Sequence, residues 1–342
     1  MLWRVPVSQA TGGWHGTPAI IGDRVFFELN DGVTAFDIGT GNVIWRSVVK
    51  TNPSPAADNI VAQNGRLYLA EAIEVLSLDA ATGAILWRFT PDAQAAAAKS
   101  AVDDVAMYVG TRSHKVYALD VRTGTPLWTT DIGPTWQYFG IIQGISVSGD
   151  TVYAGGVRYL NQFGGMSAGV IAALDRRDGH VLWMYQGPSN GQNSVQSAPT
   201  VTARLLVASD LGGAFFAVDR ATGQEVWRVA GTPGFFGPAA APVVVGSQVY
   251  VGSNDQRVYK TDLQTGAVVW KTDTHGSIST FTVCNQAAFA NNHGLFALDA
   301  STGQILGSLL SGNGSDFFTS GFAVAADRVI VSGTEAVYAI GC

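Results

Sequence analysis

One short phrase returns seven times along the sequence, and this repeat limits the possible folds more than any other feature. Each copy is an apolar stretch that ends in Asp, followed by two residues, Thr-Gly or a close variant, three residues and Trp. The copies occupy residues 35–45, 77–87, 118–128, 173–183, 217–227, 260–270 and 297–307, the last with Gly307 in place of Trp. Because each unit of a repeat buries its apolar faces against its neighbours, the copies predict a repeat architecture.

The tryptophans give the length of the unit. Trp3, Trp45, Trp87, Trp128, Trp183, Trp227 and Trp270 are separated by 42, 42, 41, 55, 44 and 43 residues. A period of about 40 to 45 residues is typical of the four-stranded blades of a β-propeller. Segments such as 248–252 and 115–120 are rich in Val and Tyr and are bounded by Gly, Asn and Asp, which indicates strands.

The two ends of the chain are predicted to meet in one blade. The last unit, 320–342, has three strands, and Leu2–Val5 supplies the fourth, so the last blade is a composite of 1–5 and 320–342. We therefore predict an all-β, eight-bladed β-propeller with four antiparallel strands per blade, closed by pairing of the N- and C-terminal strands. No linker or composition shift divides the chain, so we expect a single domain, 1–342. Since Trp3 already lies in a strand, we expect the natural chain to carry residues before Met1.

Composition excludes some classes of partner. The formal net charge is −6 and no basic stripe is present, which argues against a nucleic-acid partner. No apolar run reaches the ~18 to 20 residues of a membrane span, so we expect no transmembrane segment. The 41 glycines suit many short strands joined by tight turns.

The repeated phrase has a structural explanation that requires no ligand. The Asp side chain can accept backbone N–H groups two or three residues further on, and Gly can adopt the left-handed conformation that completes the turn. The Trp side chain buries a large rigid surface against the next blade. We therefore interpret these residues as packing elements.

The pattern Ala-x-Asp-x-x-Thr-Gly-x-x-x-Trp resembles the tryptophan-docking motif of the PQQ-like repeat family of eight-bladed β-propellers, and the resemblance covers the whole chain in register. That family includes quinoprotein alcohol and glucose dehydrogenases, an outer-membrane assembly lipoprotein that binds the barrel-assembly porin, and extracytoplasmic sensor domains of bacterial kinases. The resemblance implies the fold, but it leaves the function to be argued from a site.

The enzymes of this family hold their quinone between a Trp and a disulfide of adjacent cysteines, and they bind Ca²⁺ through Glu, Asn and Asp. This chain has two cysteines, Cys284 and Cys342, which are not adjacent. A quinone with three carboxylates also needs several converging cations. The candidates come from scattered blades: Lys50, Lys99, Arg112 and Arg158. No Asp/Asn-rich loop with EF-hand spacing is present. We predict no cofactor and no metal, and keep a PQQ- and Ca-dependent dehydrogenase as the alternative.

Other catalytic patterns are missing from the sequence. The five histidines have neither an i, i+4 pair nor Cys neighbours, which is not a zinc spacing. No Gly-x-Ser-x-Gly elbow accompanies the serines, and the pair Gly212-Gly213 reads as a hairpin turn without a following helix. We therefore predict no catalytic residues.

Strand order divides the loops between two faces. The turns between first and second strands and between third and fourth strands share one face, called here the turn face. The turns between second and third strands and the crossings between blades share the other, the crossing face. Crossing-face loops are rich in aromatic residues and include a long hairpin insertion that begins at Arg158. The predicted partner-binding residues are Trp14, His15, Trp136, Tyr138, Phe139, Arg158, Phe235, Phe236, Phe317 and Phe318.

Two interpretations of these aromatic side chains remain open. Large aromatics on loops of a rigid scaffold, together with Arg, favour a protein interface. Alternatively, the same side chains fold inward and close the wide mouth of the ring, because aromatic side chains are more often buried than displayed.

The two cysteines are both predicted on the turn face, Cys284 near the axis and Cys342 further out. A disulfide requires Cα atoms within ~7 Å, and the offset leaves this bond open. Its presence would imply an oxidising compartment.

Together these observations predict a non-catalytic protein-docking scaffold of the bacterial cell envelope, periplasmic or otherwise extracytoplasmic. Its partner is another protein, in an envelope or membrane complex. The alternatives are the quinoprotein dehydrogenase and a small-ligand-binding sensor domain of a membrane kinase.

Overall fold

The computed structural model describes most of the chain. The described residues are 1–6, 16–29, 32–49, 60–71, 73–92, 99–133, 140–161, 165–189, 193–195, 197–232, 240–276, 278, 280–291, 294–309, 321–325, 327–333 and 336–342. Within these ranges the structure contains 32 strands in eight four-stranded sheets. A search of the same ranges finds no helix with the length and apolar character needed to cross a membrane.

The first four blades follow one another along the chain, each with its strands in sequence order. Blade 1 contains β2 (Ala19–Ile21), β3 (Arg24–Leu29), β4 (Gly32–Asp37) and β5 (Val43–Ser47). Blade 2 contains β6 (Val61–Gln63), β7 (Arg66–Ala70), β8 (Val75–Asp79) and β9 (Ile85–Phe89). Blade 3 contains β10 (Ala101–Val102), β11 (Ala106–Gly110), β12 (Lys115–Asp120) and β13 (Pro126–Asp131). Blade 4 contains β14 (Gly140–Ser148), β15 (Thr151–Tyr159), β16 (Ser167–Asp175) and β17 (Val181–Gln186).

The remaining blades repeat this arrangement. Blade 5 contains β18 (Thr200–Val201), β19 (Leu205–Ser209), β20 (Phe215–Asp219) and β21 (Glu225–Val229). Blade 6 contains β22 (Val243–Val245), β23 (Gln248–Gly252), β24 (Arg257–Asp262) and β25 (Val268–Asp273). Blade 7 contains β26 (Thr280–Cys284), β27 (Ala287–Asn291), β28 (Leu295–Asp299) and β29 (Ile305–Leu309). Blade 8 contains β30 (Ala323–Ala325), β31 (Arg328–Ser332), β32 (Ala336–Gly341) and, from the other end of the chain, β1 (Trp3–Pro6).

The composite blade closes the ring. β1 pairs antiparallel with β32, with Trp3 opposite Ala339. First strands of neighbouring blades lie against each other, as β2 does against both β6 and β30, so they line the axis. The predicted eight-bladed propeller with terminal closure is confirmed.

Two predicted strand bounds differ in detail. The closing strand is Trp3–Pro6 rather than Leu2–Val5, and the inner strand of blade 6 is Val243–Val245 rather than 240–246. Pro242 explains the shorter inner strand, because proline has no backbone N–H to donate to the neighbouring strand.

Blade 4 departs from the regular length. Its first three strands have nine residues each, whereas the second and third strands of blade 2 have five. This lengthening accounts for the 55-residue interval between Trp128 and Trp183 and carries the hairpin of β15 and β16 outward on the crossing face.

The core consists of apolar layers between neighbouring blades. One layer joins Phe26 and Val33 of blade 1 to Leu67 and Leu78 of blade 2, and another joins Val25 of blade 1 to blade 8. Since every layer is shared by two blades, each blade depends on both neighbours for its stability.

The tryptophans cross these layers. Six of them donate the indole N–H to a backbone carbonyl of the following blade: Trp3 to Ile38, Trp45 to Ala80, Trp87 to Val121, Trp128 to Arg176, Trp183 to Arg220 and Trp227 to Leu263, at 2.9 to 3.2 Å. The ring lies against the Gly of the Thr-Gly pair in that blade. A Cβ atom added to Gly83 would lie 2.7 Å from the Trp45 ring, and the φ of Gly83 is +75°. Glycine is therefore required there for two independent reasons.

The repeated Asp organises the turn that precedes each outer strand. In blade 1 the Asp37 carboxylate accepts hydrogen bonds from the Thr40 N–H at 2.7 Å, the Thr40 hydroxyl at 2.7 Å and the Gly39 N–H at 3.1 Å. The hydrogen bond from the Thr40 hydroxyl contributes most to holding the pKa of Asp37 below its usual value. The same bonds recur at Asp79, Asp262 and Asp299.

Candidate functional site

The crossing face is where sequence analysis placed the partner-binding residues. Nine of the ten lie outside the described residues: Trp14, His15, Trp136, Tyr138, Phe139, Phe235, Phe236, Phe317 and Phe318. Their placement on a common surface therefore stays a prediction. The tenth, Arg158, is described.

Arg158 lies near the end of β15, where the lengthened hairpin of blade 4 leaves the ring. It is opposite Ala168 in β16, and its guanidinium donates to the Gln186 Oε1 atom of β17 at 2.8 Å. The tip of the hairpin is exposed at Met166. The base of the hairpin is thus held by a hydrogen bond across the sheet, and its described tip carries an exposed apolar side chain.

Below the loops, several buried polar side chains follow directly after second strands. They are Glu71, Thr111, Asp210 and Ser253, of blades 2, 3, 5 and 6. In three of these blades the side chain caps the next turn: Thr111 Oγ1 accepts from Lys115 N–H at 3.1 Å, Asp210 Oδ1 from Ala214 N–H at 3.0 Å and Ser253 Oγ from Asp255 N–H at 3.3 Å. These residues were not predicted from the sequence, although a polar residue at the same offset after each of these four strands was a usable signal.

Asp210 is the centre of an ionic network between blades 4 and 5. Its Oδ2 atom accepts from Arg228 Nη1 at 3.0 Å and from Asn193 Nδ2 at 3.2 Å. Arg228 Nη2 also donates to Tyr185 Oη at 2.7 Å and to Glu225 Oε2 at 2.9 Å. Burial by itself would raise the pKa of Glu225, but the hydrogen bonds from Arg228 and Tyr185 bring that pKa below its usual value. A network this fully paired fixes the blades rather than offering a free ligand group.

A second group of this kind lies between blades 5 and 6. The buried Asp255 carboxylate accepts from Tyr259 Oη at 2.5 Å, Thr232 Oγ1 at 2.9 Å and Arg257 Nη1 at 3.3 Å. Burial, together with the bond to Asp255, raises the pKa of Tyr259 to about 12. The Tyr259 hydroxyl therefore keeps its proton at neutral pH and acts as a donor.

Glu71 differs from the other residues after second strands. It is 1% exposed, and its backbone N–H donates to the Glu74 carbonyl at 2.8 Å. Burial raises the pKa of Glu71; interaction with Glu28 opposes this effect, and the charge of Glu74 adds to it. Of these carboxyls, Glu74 is paired with Arg88 at 2.5 Å. Glu71 is therefore a group that takes up a proton early as the pH falls.

The turn face holds the one grouping of three potential metal ligands found among the described residues, namely Asp175, Asp178 and His180. Arg177 pairs with Asp175 at 2.8 Å and lowers its pKa, and His180 Nδ1 lies 2.7 Å from Asp178 Oδ1. These are the residues of the blade 4 turn, with Asp178 at the usual Thr position. The internal pairs account for their proximity.

Cys284 and Cys342 form a disulfide with a Cα–Cα distance of 5.6 Å. Cys284 ends the inner strand of blade 7, and Cys342 follows the third strand of blade 8. The sequence did not decide whether this disulfide forms, because the two residues were predicted at different distances from the propeller axis. Neighbouring blades pack face to face with an offset, so the end of β26 reaches the end of β32.

The quinone that the fold family implies does not fit the described residues. The cysteines are joined to each other between blades 7 and 8, so they cannot form an adjacent-cysteine disulfide beneath a quinone. Three described arginines toward the crossing face are paired with carboxylates, Arg88 with Glu74, Arg228 with Asp210 and Arg257 with Asp255, whereas Arg158 donates to the amide oxygen of Gln186. Cations already neutralised by the protein are poor ligands for three further carboxylates.

Eight closed blades with this repeated turn define the class of protein: a PQQ-like β-propeller. The model of the family described as "Outer membrane protein assembly factor BamB" matches residues 71–309, and the chain belongs to this family. The chain is 22% identical to the Outer membrane protein assembly factor BamB of Shewanella oneidensis over 367 residues, which covers 99% of this chain and 87% of that protein.

Two further comparisons bear on fold and function. The structure of BamB from Moraxella catarrhalis is similar with a TM-score of 0.62 at 21% identity, over 79% of each chain, which is a likeness of fold. The Quinoprotein ethanol dehydrogenase of Pseudomonas aeruginosa is 30% identical over 145 residues, which cover 37% of this chain and 21% of that protein.

Proposed function

We propose that this chain is a non-catalytic docking scaffold for outer-membrane protein assembly and works on the extracytoplasmic side of the bacterial envelope. The observation that carries the proposal is the family match over residues 71–309. The disulfide between Cys284 and Cys342 supports the location, because structural disulfides persist in oxidising compartments such as the periplasm.

The crossing face is the surface that we assign to the partner. Blade 4 extends its hairpin there, with Met166 exposed at the tip and Arg158 anchored at the base. The predicted aromatic loops of the same face would supply the apolar anchors of an interface. The partner is another protein of the envelope assembly complex.

Complementation of a deletion strain tests this function. Without the gene, we expect lower amounts of β-barrel proteins in the outer membrane, and we expect the wild-type chain to restore them. The variant Phe235→Ser/Phe236→Ser should fail to restore them while keeping the melting temperature of the wild type. Normal barrel levels in the deletion strain would contradict the function. A collapsed melting temperature would instead show that these aromatics close the mouth of the ring.

The partial match to a quinoprotein ethanol dehydrogenase favours one competing function. Adding PQQ and Ca²⁺ to the purified chain separates the two. We expect neither a thermal shift nor dye-linked alcohol oxidation, because the two cysteines are bonded to each other, and Arg228 and Arg257 are already paired with carboxylates. A large shift together with oxidation would establish the dehydrogenase.

A further inference from the structure

The interface between blades 7 and 8 lacks the tryptophan that the repeat places at its other interfaces. Gly307 lies opposite Ala297 in the same register in which Trp45 lies opposite Ala35 and Trp128 opposite Ala118. The backbone of the repeat is therefore preserved at this position, and the indole ring is what is missing.

The missing ring leaves a cavity. Its volume is about 220 Å³, and its lining is mainly apolar: Met1, Phe289, Leu295, Ala297, Gly307, Ser308 and Ile340. A Cβ atom added to Gly307 would have no neighbour within 4 Å. We call this cavity the 7/8 pocket.

The wall behind the 7/8 pocket matches the wall that holds tryptophans elsewhere. Phe289 is opposite Ala297 in β27 and β28, as Tyr68 is opposite Ser77 in blade 2. The Tyr68 ring centroid lies 6.1 Å from that of Trp87, whose position corresponds to Gly307. Phe289 therefore presents an aromatic surface at the distance where the other blades hold an indole ring.

The backbone carbonyl that would accept a hydrogen bond from an indole N–H also has an equivalent in blade 8. Trp3 donates its indole N–H to the carbonyl of Ile38, the third residue after Ala35. The corresponding residue of blade 8, the third after Ala339, is Cys342. Its N–H donates to the Asp327 carbonyl at 2.8 Å, as the Ile38 N–H donates to the Asp23 carbonyl at 2.8 Å. The disulfide from Cys342 to Cys284 joins the two blades covalently, so the 7/8 pocket keeps its shape without an indole ring.

We propose that the 7/8 pocket is a binding site for a planar aromatic molecule of the indole type. The ring packs between Phe289 and Ile340, and its N–H donates to the Cys342 carbonyl. Apolar cavities of about 150 Å³ already bind benzene, so this volume is adequate for a bicyclic ring. The same chemistry is offered by a free indole and by a tryptophan side chain in a peptide.

Methionine methyl groups allow a test on the unmodified sequence. The chain has four methionines, and Met1 lines the 7/8 pocket whereas Met107 is buried in blade 3. In protein labelled with ¹³C at the methionine methyls, titrated indole should shift the Met1 signal saturably and leave Met107, Met166 and Met184 unchanged. N-acetyl-tryptophanamide is the second probe: comparable binding indicates that a peptide-borne ring is accepted, and binding of indole alone indicates a small-molecule site. No saturable shift at Met1 with either probe overturns the proposal.

Substitution of Gly307 provides the matched variants. Gly307→Trp fills the 7/8 pocket from its own strand and should weaken indole binding at least about tenfold, whereas Gly307→Ala should leave it within about twofold. Phe289→Leu removes the aromatic wall and should weaken binding about threefold to tenfold, which keeps the test usable if Gly307→Trp fails to fold. Unchanged affinity in a folded Gly307→Trp or Phe289→Leu variant overturns the proposal.

Discussion

Removing the disulfide should weaken this ring more than the loss of any single hydrogen bond. Cys284 and Cys342 are 58 residues apart in the sequence, and loop-closure entropy assigns a cross-link of that span about 4 kcal/mol of stabilisation. The 7/8 interface has no tryptophan contact to compensate, because Gly307 occupies that position. The double variant Cys284→Ser/Cys342→Ser should therefore unfold at a clearly lower denaturant concentration than the oxidised wild type.

Two measurements together check this prediction. Denaturant unfolding gives the loss of free energy, and reduced wild-type protein should match the double variant. Native-state hydrogen exchange gives the location: amides of β26 to β32 should lose more protection than those of β10 to β17. Equal unfolding midpoints for variant and oxidised wild type, or faster exchange spread evenly over all blades, would refute the reasoning.

Three matched comparisons test other parts of the structure. Trp227→Phe should lower the free energy of unfolding in urea by about 1–2 kcal/mol more than Trp270→Phe. The indole N–H of Trp227 donates to the Leu263 carbonyl, whereas that of Trp270 has no partner among the described residues. Equal losses in the two variants would contradict this prediction. Gly266→Ala places a Cβ atom 2.7 Å from the Trp227 ring at φ +70°, whereas the Cβ atom of Gly246→Ala meets nothing within 4 Å at φ +59°. The loss of unfolding free energy should therefore be several-fold larger for Gly266→Ala. Similar losses would show that the Trp contact is not rigid. The turn carboxylates have lowered pKa values: that of Asp299 is about 2, and those of Asp37 and Asp262 also lie below their usual value. These groups bind protons more weakly in the folded than in the unfolded chain, so the stability they contribute is present above about pH 4 and is lost as the pH falls toward 2. A melting temperature that stays constant over that range would contradict this prediction.

The ring could be predicted from sequence because its determinants are local and periodic. A Trp at a fixed distance from Asp sets the blade length, and Trp3 before the first complete unit requires a partner strand from the other end, which β32 supplies. The sequence did not predict that β14 is also lengthened, because the insertion after Arg158 indicates only a longer hairpin of β15 and β16.

The site was harder to predict, because its features depend on how neighbouring blades are offset. The disulfide links two different strand positions of neighbouring blades, and Arg228 of blade 5 reaches Tyr185 of blade 4 only when the two blades pack together. Neither distance follows from spacing in one blade. The strand order predicts on which face the aromatic loops lie, because that depends only on topology. It does not predict in which direction their side chains point.

Site-specific photo-crosslinking in living cells tests the docking proposal most directly. A photoreactive residue at Met166, exposed on the crossing face, is compared with one at Arg122, exposed in a turn on the opposite face. We expect a crosslink from position 166 to a component of the outer-membrane protein assembly complex, and none from position 122. A crosslink to that component from position 122 alone, or none from position 166 although the chain is folded and correctly located, would contradict the assignment of the crossing face as the docking surface.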